Sequence, residues 1–136
     1  MSKKPKYKPK SFESLGQKND TSANIYMSML MNKNWQNLTK NQQLLYLYCK
    51  AQYYAEKKKT IKLQLAEISE EELSKCFTMN KSKWCSLYHL YNDGNQNGFI
   101  KDMRALIENG FIDIVENGKV TRTKNIYKFS DRWREA

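Results

Sequence analysis

The spacing of apolar side chains divides the chain into a series of helices, one alternating stretch and a closing pair of strands. Ile25, Met29 and Leu30 recur at helical intervals and predict a short helix over 24–34, with Trp35 and Leu38 in the turn that follows. Thr39 and Gln42 form a Thr-x-x-Gln capping box, the strongest helix start in the sequence. Behind it Leu44, Leu45, Tyr48, Ala51 and Tyr54 predict the packed face of a helix reaching residue 57. The lysines at 57–59 suit the negative end of its dipole. Over 60–68, Ile61, Leu63 and Leu65 alternate with Lys62 and Gln64, a strand pattern that also admits a helical reading. Ser69 and Glu72 make a second capping box and start a short acidic helix to residue 76. Asn80 is expected to cap a helix over 81–91 with Trp84, Leu87, Tyr88 and Tyr91 on its apolar face.

The pattern is sharpest over 95–129. Residues 92–95 carry the turn signal Asn-Asp-Gly-Asn. Asn95 or Asn97 then caps a helix that Gly110 closes. At about 100° per residue, Phe99, Met103, Leu106 and Ile107 share one side, with Ile100 at its edge. Asn97, Lys101 and Arg104 fall within about 60° of one another on the opposite side, with Glu108 behind them and Gln96 on the flank. Gly98, in the first turn, implies a close approach by a neighbouring helix or by a phosphate. After Gly110 come a strand over 111–115, the hairpin signal Asn117-Gly118 and a return strand ending on Ile126, Tyr127 and Phe129. Trp133 is expected to fold back onto the core.

A helix, a short turn, a second helix and a hairpin, in that order, predict a mainly α chain with a small β-hairpin or sheet: a winged helix-turn-helix. The 60–68 stretch is the candidate third strand. The expected organisation is a flexible basic arm over 1–20 and a single such domain over 21–136.

Charge gives this architecture a direction. The chain of 136 residues has 24 Lys and Arg against 14 Asp and Glu, a net charge of +10. A small domain so basic is expected to seek a polyanion, nucleic acid before an anionic membrane surface. The second helix of a helix-turn-helix reads base edges with its N-terminal half. Arginine suits guanine, and Asn or Gln suits adenine. Asn95, Gln96, Asn97, Lys101 and Arg104 are therefore the candidate base readers, and Lys119, Arg122 and Lys124 at the hairpin tip the candidate backbone contacts. Lys81 and Lys83 could add phosphate contacts, as could Lys3, Lys4 and Lys6 in the arm. An ordinary solvated helix face and a charged hairpin guarding a sheet edge would look similar one at a time; their succession favours DNA. The acids at 67, 70, 71 and 72 would repel DNA and belong away from that face.

Other chemistries find little support. The single histidine, His89, sits in an apolar helix pattern and cannot form a histidine triad. The five glycines are scattered at turns and caps, without a phosphate-cradling loop. The three cysteines lack metal-ligand spacing and fit a reduced cytosol, and abundant Lys, Asn and Ile with only two prolines hints at an AT-rich bacterial genome, so the expected location is a bacterial cytoplasm. No apolar run approaches a membrane span, and no apolar segment follows the N-terminal lysines as in a secretory signal. The expectation is a binding protein with no catalytic residues, metal or cofactor. A protein-interaction module whose charge serves solubility is one alternative. RNA or single-strand binding is another, and it gains if Tyr46, Tyr53 and Tyr88 lie exposed on one basic face.

Between Trp84 and Trp133 the Leu/Tyr-rich helix, FIKDMRALIENGFIDIV, the Asn-Gly turn and TRTKNIYKFSDRW together resemble small winged-helix proteins of Gram-positive conjugative plasmids, integrative elements and phages. The Trp35-x-x-Leu-Thr segment and the helix after it are similar to the N-terminal part of that group. The resemblance covers 25–133 and leaves the arm outside. It implies double-stranded DNA binding in transcription control or DNA transfer, with replication initiation as the alternative, and it implies no catalytic residue. The size suits an accessory or regulatory protein better than an initiator. The DNA target and the oligomeric state are not implied.

Overall fold

The computed structural model describes residues 8–17, 20–55, 58–116 and 125–135. The chain combines helices with a small three-stranded antiparallel sheet. Two single helical turns, α1 (Met27–Leu30) and α2 (Lys33–Gln36), lead into the long helix α3 (Lys40–Ala55). Short helices α4 (Lys59–Gln64) and α5 (Glu70–Leu73) precede strand β1 (Cys76–Phe77). A wide π-helical turn (Ser82–Leu87) then precedes helix α6 (Gln96–Glu108). Strands β2 (Ile112–Glu116) and β3 (Ile126–Phe129) follow, and a 3₁₀ turn (Arg132–Arg134) ends the described chain. The sheet order is β1-β3-β2, with Ile112 opposite Phe129, Phe77 opposite Tyr127, and a bulge between Ile114 and Glu116.

Local signals set most element ends. At α3 the capping box closes both ways: Gln42 N–H donates to Thr39 Oγ1, and Thr39 N–H donates to Gln42 Oε1. The α5 start uses half of its box, Glu72 N–H donating to Ser69 Oγ. Gly110, at φ +86°, ends α6: its N–H donates to the Ile107 carbonyl and the Phe111 N–H to that of Leu106. That is the Schellman arrangement, which needs a left-handed residue at this point.

Five expectations need correction. The single helix expected over 24–34 is instead the two turns α1 and α2, with Trp35 inside α2. Over 60–68 the chain is not a strand: it is helical to Gln64 and then turns. Ile61 and Leu65, one turn apart, pack with Leu73, Cys76 and Ile126, while Leu63 stays exposed. The third strand comes instead from Cys76–Phe77, beginning where the acidic helix was expected to end; that helix stops at Leu73. The packed face of α3 is Gln42, Leu45, Tyr46, Cys49 and Gln52; Leu44 and Tyr54 point outward. Finally, the helix expected over 81–91 stops at Leu87. Tyr88 N–H reaches back five residues to the Lys83 carbonyl, and both Leu90 and Tyr91 donate to the Trp84 carbonyl. His89 makes this reversal at φ 54°, in the left-handed region. Trp84 is buried as expected, but Leu87 is exposed.

Aromatic rings hold the centre. Trp35, Tyr46 and Phe111 meet edge-on with centroids 5.4–5.7 Å apart, and Trp133 stacks on Phe111 at 5.8 Å, the expected return of the C-terminal segment. Aromatic pairs of this kind are worth about 0.5–1.5 kcal/mol each beyond burial. Phe111 takes part in three of them and is fully buried, so it matters more than any single cap.

One buried polar cluster sets α6 against α3. Asp102 lies on the inward face of α6, 9% exposed. Tyr91 donates its hydroxyl to Asp102 Oδ2 at 2.6 Å, and Gln42 Nε2 donates to Oδ1 at 3.3 Å. Gln42 therefore serves the α3 cap through its oxygen and the α6 carboxylate through its nitrogen.

Two outcomes follow for stability. Gly110→Ala forces a left-handed alanine whose Cβ would lie 2.6 Å from the Trp133 backbone nitrogen and 2.8 Å from the Arg132 carbonyl carbon. The cost should exceed about 2 kcal/mol, read as a lower urea midpoint at unchanged slope; an unchanged midpoint would refute this account of the α6 end. Asp102→Ala strands two donors, the buried Gln42 amide and the part-buried Tyr91 hydroxyl, and should cost about 1–3 kcal/mol. In a double-mutant cycle with Tyr91→Phe the losses should be clearly less than additive; strict additivity would show that the two side chains do not work together.

Candidate nucleic-acid interface

The inward face of α6 is fully used. Phe99, Met103 and Leu106 are buried with Asp102, and Phe99 stacks on Trp84 at 5.1 Å. Amphipathic spacing then dictates what faces outward. Gln96, Asn97, Ile100, Lys101, Arg104 and Glu108 are all exposed. The packed face was read correctly except at its edge, where Ile100 remains 43% exposed within the polar stripe. Among the described residues no carboxylate lies within ion-pair distance of Lys101 or Arg104, although Glu108 is one turn beyond Arg104.

The stripe is held at both ends. At the start, Asn95 Oδ1 accepts the Gly98 N–H at 3.2 Å, which makes Asn95 the cap and commits its carbonyl oxygen. Gly98 is also accounted for: a Cβ there would meet the Asn95 amide at 2.7–3.0 Å. The close approach comes from the cap's own side chain, not from a neighbouring helix or a phosphate. At the far end Arg132 donates through Nη2 to the Ile107 carbonyl at 3.0 Å and the Ile112 carbonyl at 3.3 Å, and it pairs with Asp113. A cation on the last carbonyls of a helix satisfies groups that lack intrahelical partners and complements the dipole.

The remaining candidates divide. Lys81 pairs with Asp93, which raises its ammonium pKa through the hydrogen bond and the charge; Lys83 is partly buried with no ion pair among the described residues. Lys119, Arg122, Lys124, Lys3, Lys4 and Lys6 lie outside the described residues. Two of the four acids expected to stand off are engaged elsewhere. Glu72 pairs with Lys128 and Lys75, the first of which holds its carboxyl below the usual range, and Glu70 pairs with Lys62.

Sequence reasoning missed Asp102, Gln42, Tyr91 and Arg132, which position the stripe without belonging to it. Burial, and then the hydrogen bond to Asp102, push the Tyr91 hydroxyl pKa far up, so it stays a proton donor. The capping box was a visible signal for half of Gln42's role; nothing in the spacing marked Asp102 as buried. Among the described residues no three of His, Cys, Asp and Glu gather as a metal site would require, and no helix is long and apolar enough to cross a membrane. Compared with known proteins, the chain matches no family model, and neither a curated protein nor a solved structure matches it.

Proposed function

We propose that the chain is a winged helix-turn-helix protein that binds double-stranded DNA with sequence preference. In this reading α6 lies in the major groove, and the segment between β2 and β3, whose sequence contains Lys119, Arg122 and Lys124, meets the flanking backbone. The observation that carries the reading is the outward stripe of α6: Gln96, Asn97, Lys101 and Arg104 exposed together, with both cations free of ion pairs among the described residues. The net charge of +10, the turn before α6 and the sheet after it support the same reading. The resemblance noted above supports a role as an accessory or regulatory factor of a mobile element, in DNA transfer or transcription control.

The single-strand reading does not gain the support that exposed tyrosines would give it. Tyr46 is buried, and Tyr53 and Tyr88 are partly buried with their hydroxyls bound to the Ser74 carbonyl and to Gln52 Oε1. These rings do not form an open platform for bases.

Fluorescence anisotropy on random duplex DNA should give tight binding at low salt that weakens as salt rises. Absence of binding at low salt would end the proposal. On a site selected from a random pool, Arg104→Ala should cost about 1–3 kcal/mol and relax base preference. Arg122→Ala should instead weaken every duplex alike and reduce the slope of log affinity against log salt by about 0.9. If both variants bind as wild type does, the assignment of faces is wrong.

A further inference from the structure

Away from the α6 stripe, a groove of about 620 Å³ opens beside α3 and β3. Its volume falls in the range of roughly 300–1,000 Å³ usual for small-molecule sites. Tyr26, Tyr46, Phe129 and Trp133 supply aromatic wall, and Lys50 stands among them.

Lys50 is the unusual member. It is only partly exposed, its ammonium lying 5.0 Å from the Phe129 ring centroid and 5.9 Å from that of Tyr46. Among the described residues no carboxylate comes within ion-pair distance of it. Ring faces compensate a desolvated cation only in part, and burial lowers the Lys50 pKa. Beside it Tyr46 is 3% exposed, with no described hydrogen-bond partner for its hydroxyl. Tyr46 lines the groove together with Lys50.

The other charges in the wall are largely committed. Asp113 is held by Arg132, and Lys128 and Lys75 share Glu72. Asp131 and Arg134 are both exposed at the C-terminal turn and oppose each other in sign. At the inner end of the groove these leave the half-buried Lys50 ammonium beside the Tyr46 phenol and the aromatic wall, with the Tyr26 and Ser28 hydroxyls and Arg134 farther out at exposed positions. The geometry points to a binding site for a small organic anion with a planar apolar body, its charged end on Lys50 and Tyr46 and its ring against Phe129 and Trp133. A carboxylate and a phosphate monoester share this chemistry.

Calorimetric titration of the full chain tests it with benzoate and AMP, each against its neutral counterpart, benzamide and adenosine. At least one anion should bind saturably, with its neutral counterpart roughly tenfold weaker or more. Preference for benzoate assigns a carboxylate ligand; preference for AMP assigns a phosphate. Lys50→Met should weaken the anion roughly tenfold or more, and Tyr46→Phe, which removes only the hydroxyl, roughly threefold. Lys40→Met, at an exposed position at the start of α3, should leave affinity unchanged. Should Lys50→Met fail to fold, Tyr46→Phe and the neutral counterparts still decide the matter. No saturable binding, equal affinity for the neutral compounds, or an equal loss in Lys40→Met would overturn the site.

Discussion

The outward stripe of α6 depends on a carboxylate that points the other way. Asp102 is buried on the inner face of the helix, where an unsatisfied carboxylate would cost several kcal/mol. Its two donors come from separate parts of the chain: Gln42 at the start of α3, and Tyr91 in the segment leading into α6. Rotating α6 about its axis would withdraw Asp102 from both. The helix is therefore fixed in rotation as well as position, and the directions of Asn97, Lys101 and Arg104 follow from where Asp102 must sit. Apolar packing alone would hold α6 in place but tolerate more rotation, because contact between apolar side chains is non-directional.

The ends of the helix add two further constraints. Asn95 closes the first turn and Gly98 leaves room for its amide; Gly110 reverses the chain and Arg132 covers the last carbonyls. The C-terminal turn is part of this device. Trp133 donates its N–H to the Gly110 carbonyl and stacks its ring on Phe111, so the last described residues brace the joint between α6 and β2. A helix that presents side chains to a partner gains from such bracing, since a site held by its own fold loses less freedom on binding.

How much of this was legible in the sequence depended on the kind of signal. Caps and turns are local and were readable: Thr39 with Gln42, Ser69, Asn95 and Gly110 all act where the sequence placed them. The faces of α6 were readable because its apolar positions coincide with its buried ones. In α3 they do not. Gln42 and Gln52 are buried through hydrogen bonds while Leu44 and Leu47 are exposed, so apolarity pointed to the wrong side. The 60–68 segment failed for a related reason: Ile61 and Leu65 fit both periods, and only the distant partners Leu73, Cys76 and Ile126 select the helix. The two-residue β1 strand and the π-helical turn have too little local pattern to be seen, being fixed by pairing with β3 and by the burial of Trp84. At the candidate site, the stripe was legible and the buried network beneath it was not. Lys119, Arg122 and Lys124, expected at a hairpin tip, lie outside the described residues.

The distribution of acids completes the argument about charge. Lys62, Lys75 and Lys128 are answered by Glu70 and Glu72, Arg132 by Asp113, and Lys81 by Asp93. The acids of α6 itself do nothing of the kind for its own cations: Asp102 is turned inward, and Glu108 stands in the last turn without pairing Arg104. A net charge of +10 could have been spread so that each surface was only mildly basic. Here exposed carboxylates are placed to neutralise cations around α4, α5 and the sheet, and the first two turns of α6 are left without any. Attraction for a polyanion depends on local field more than on total charge, so this uneven placement bears more directly on where DNA would lie than the net charge does.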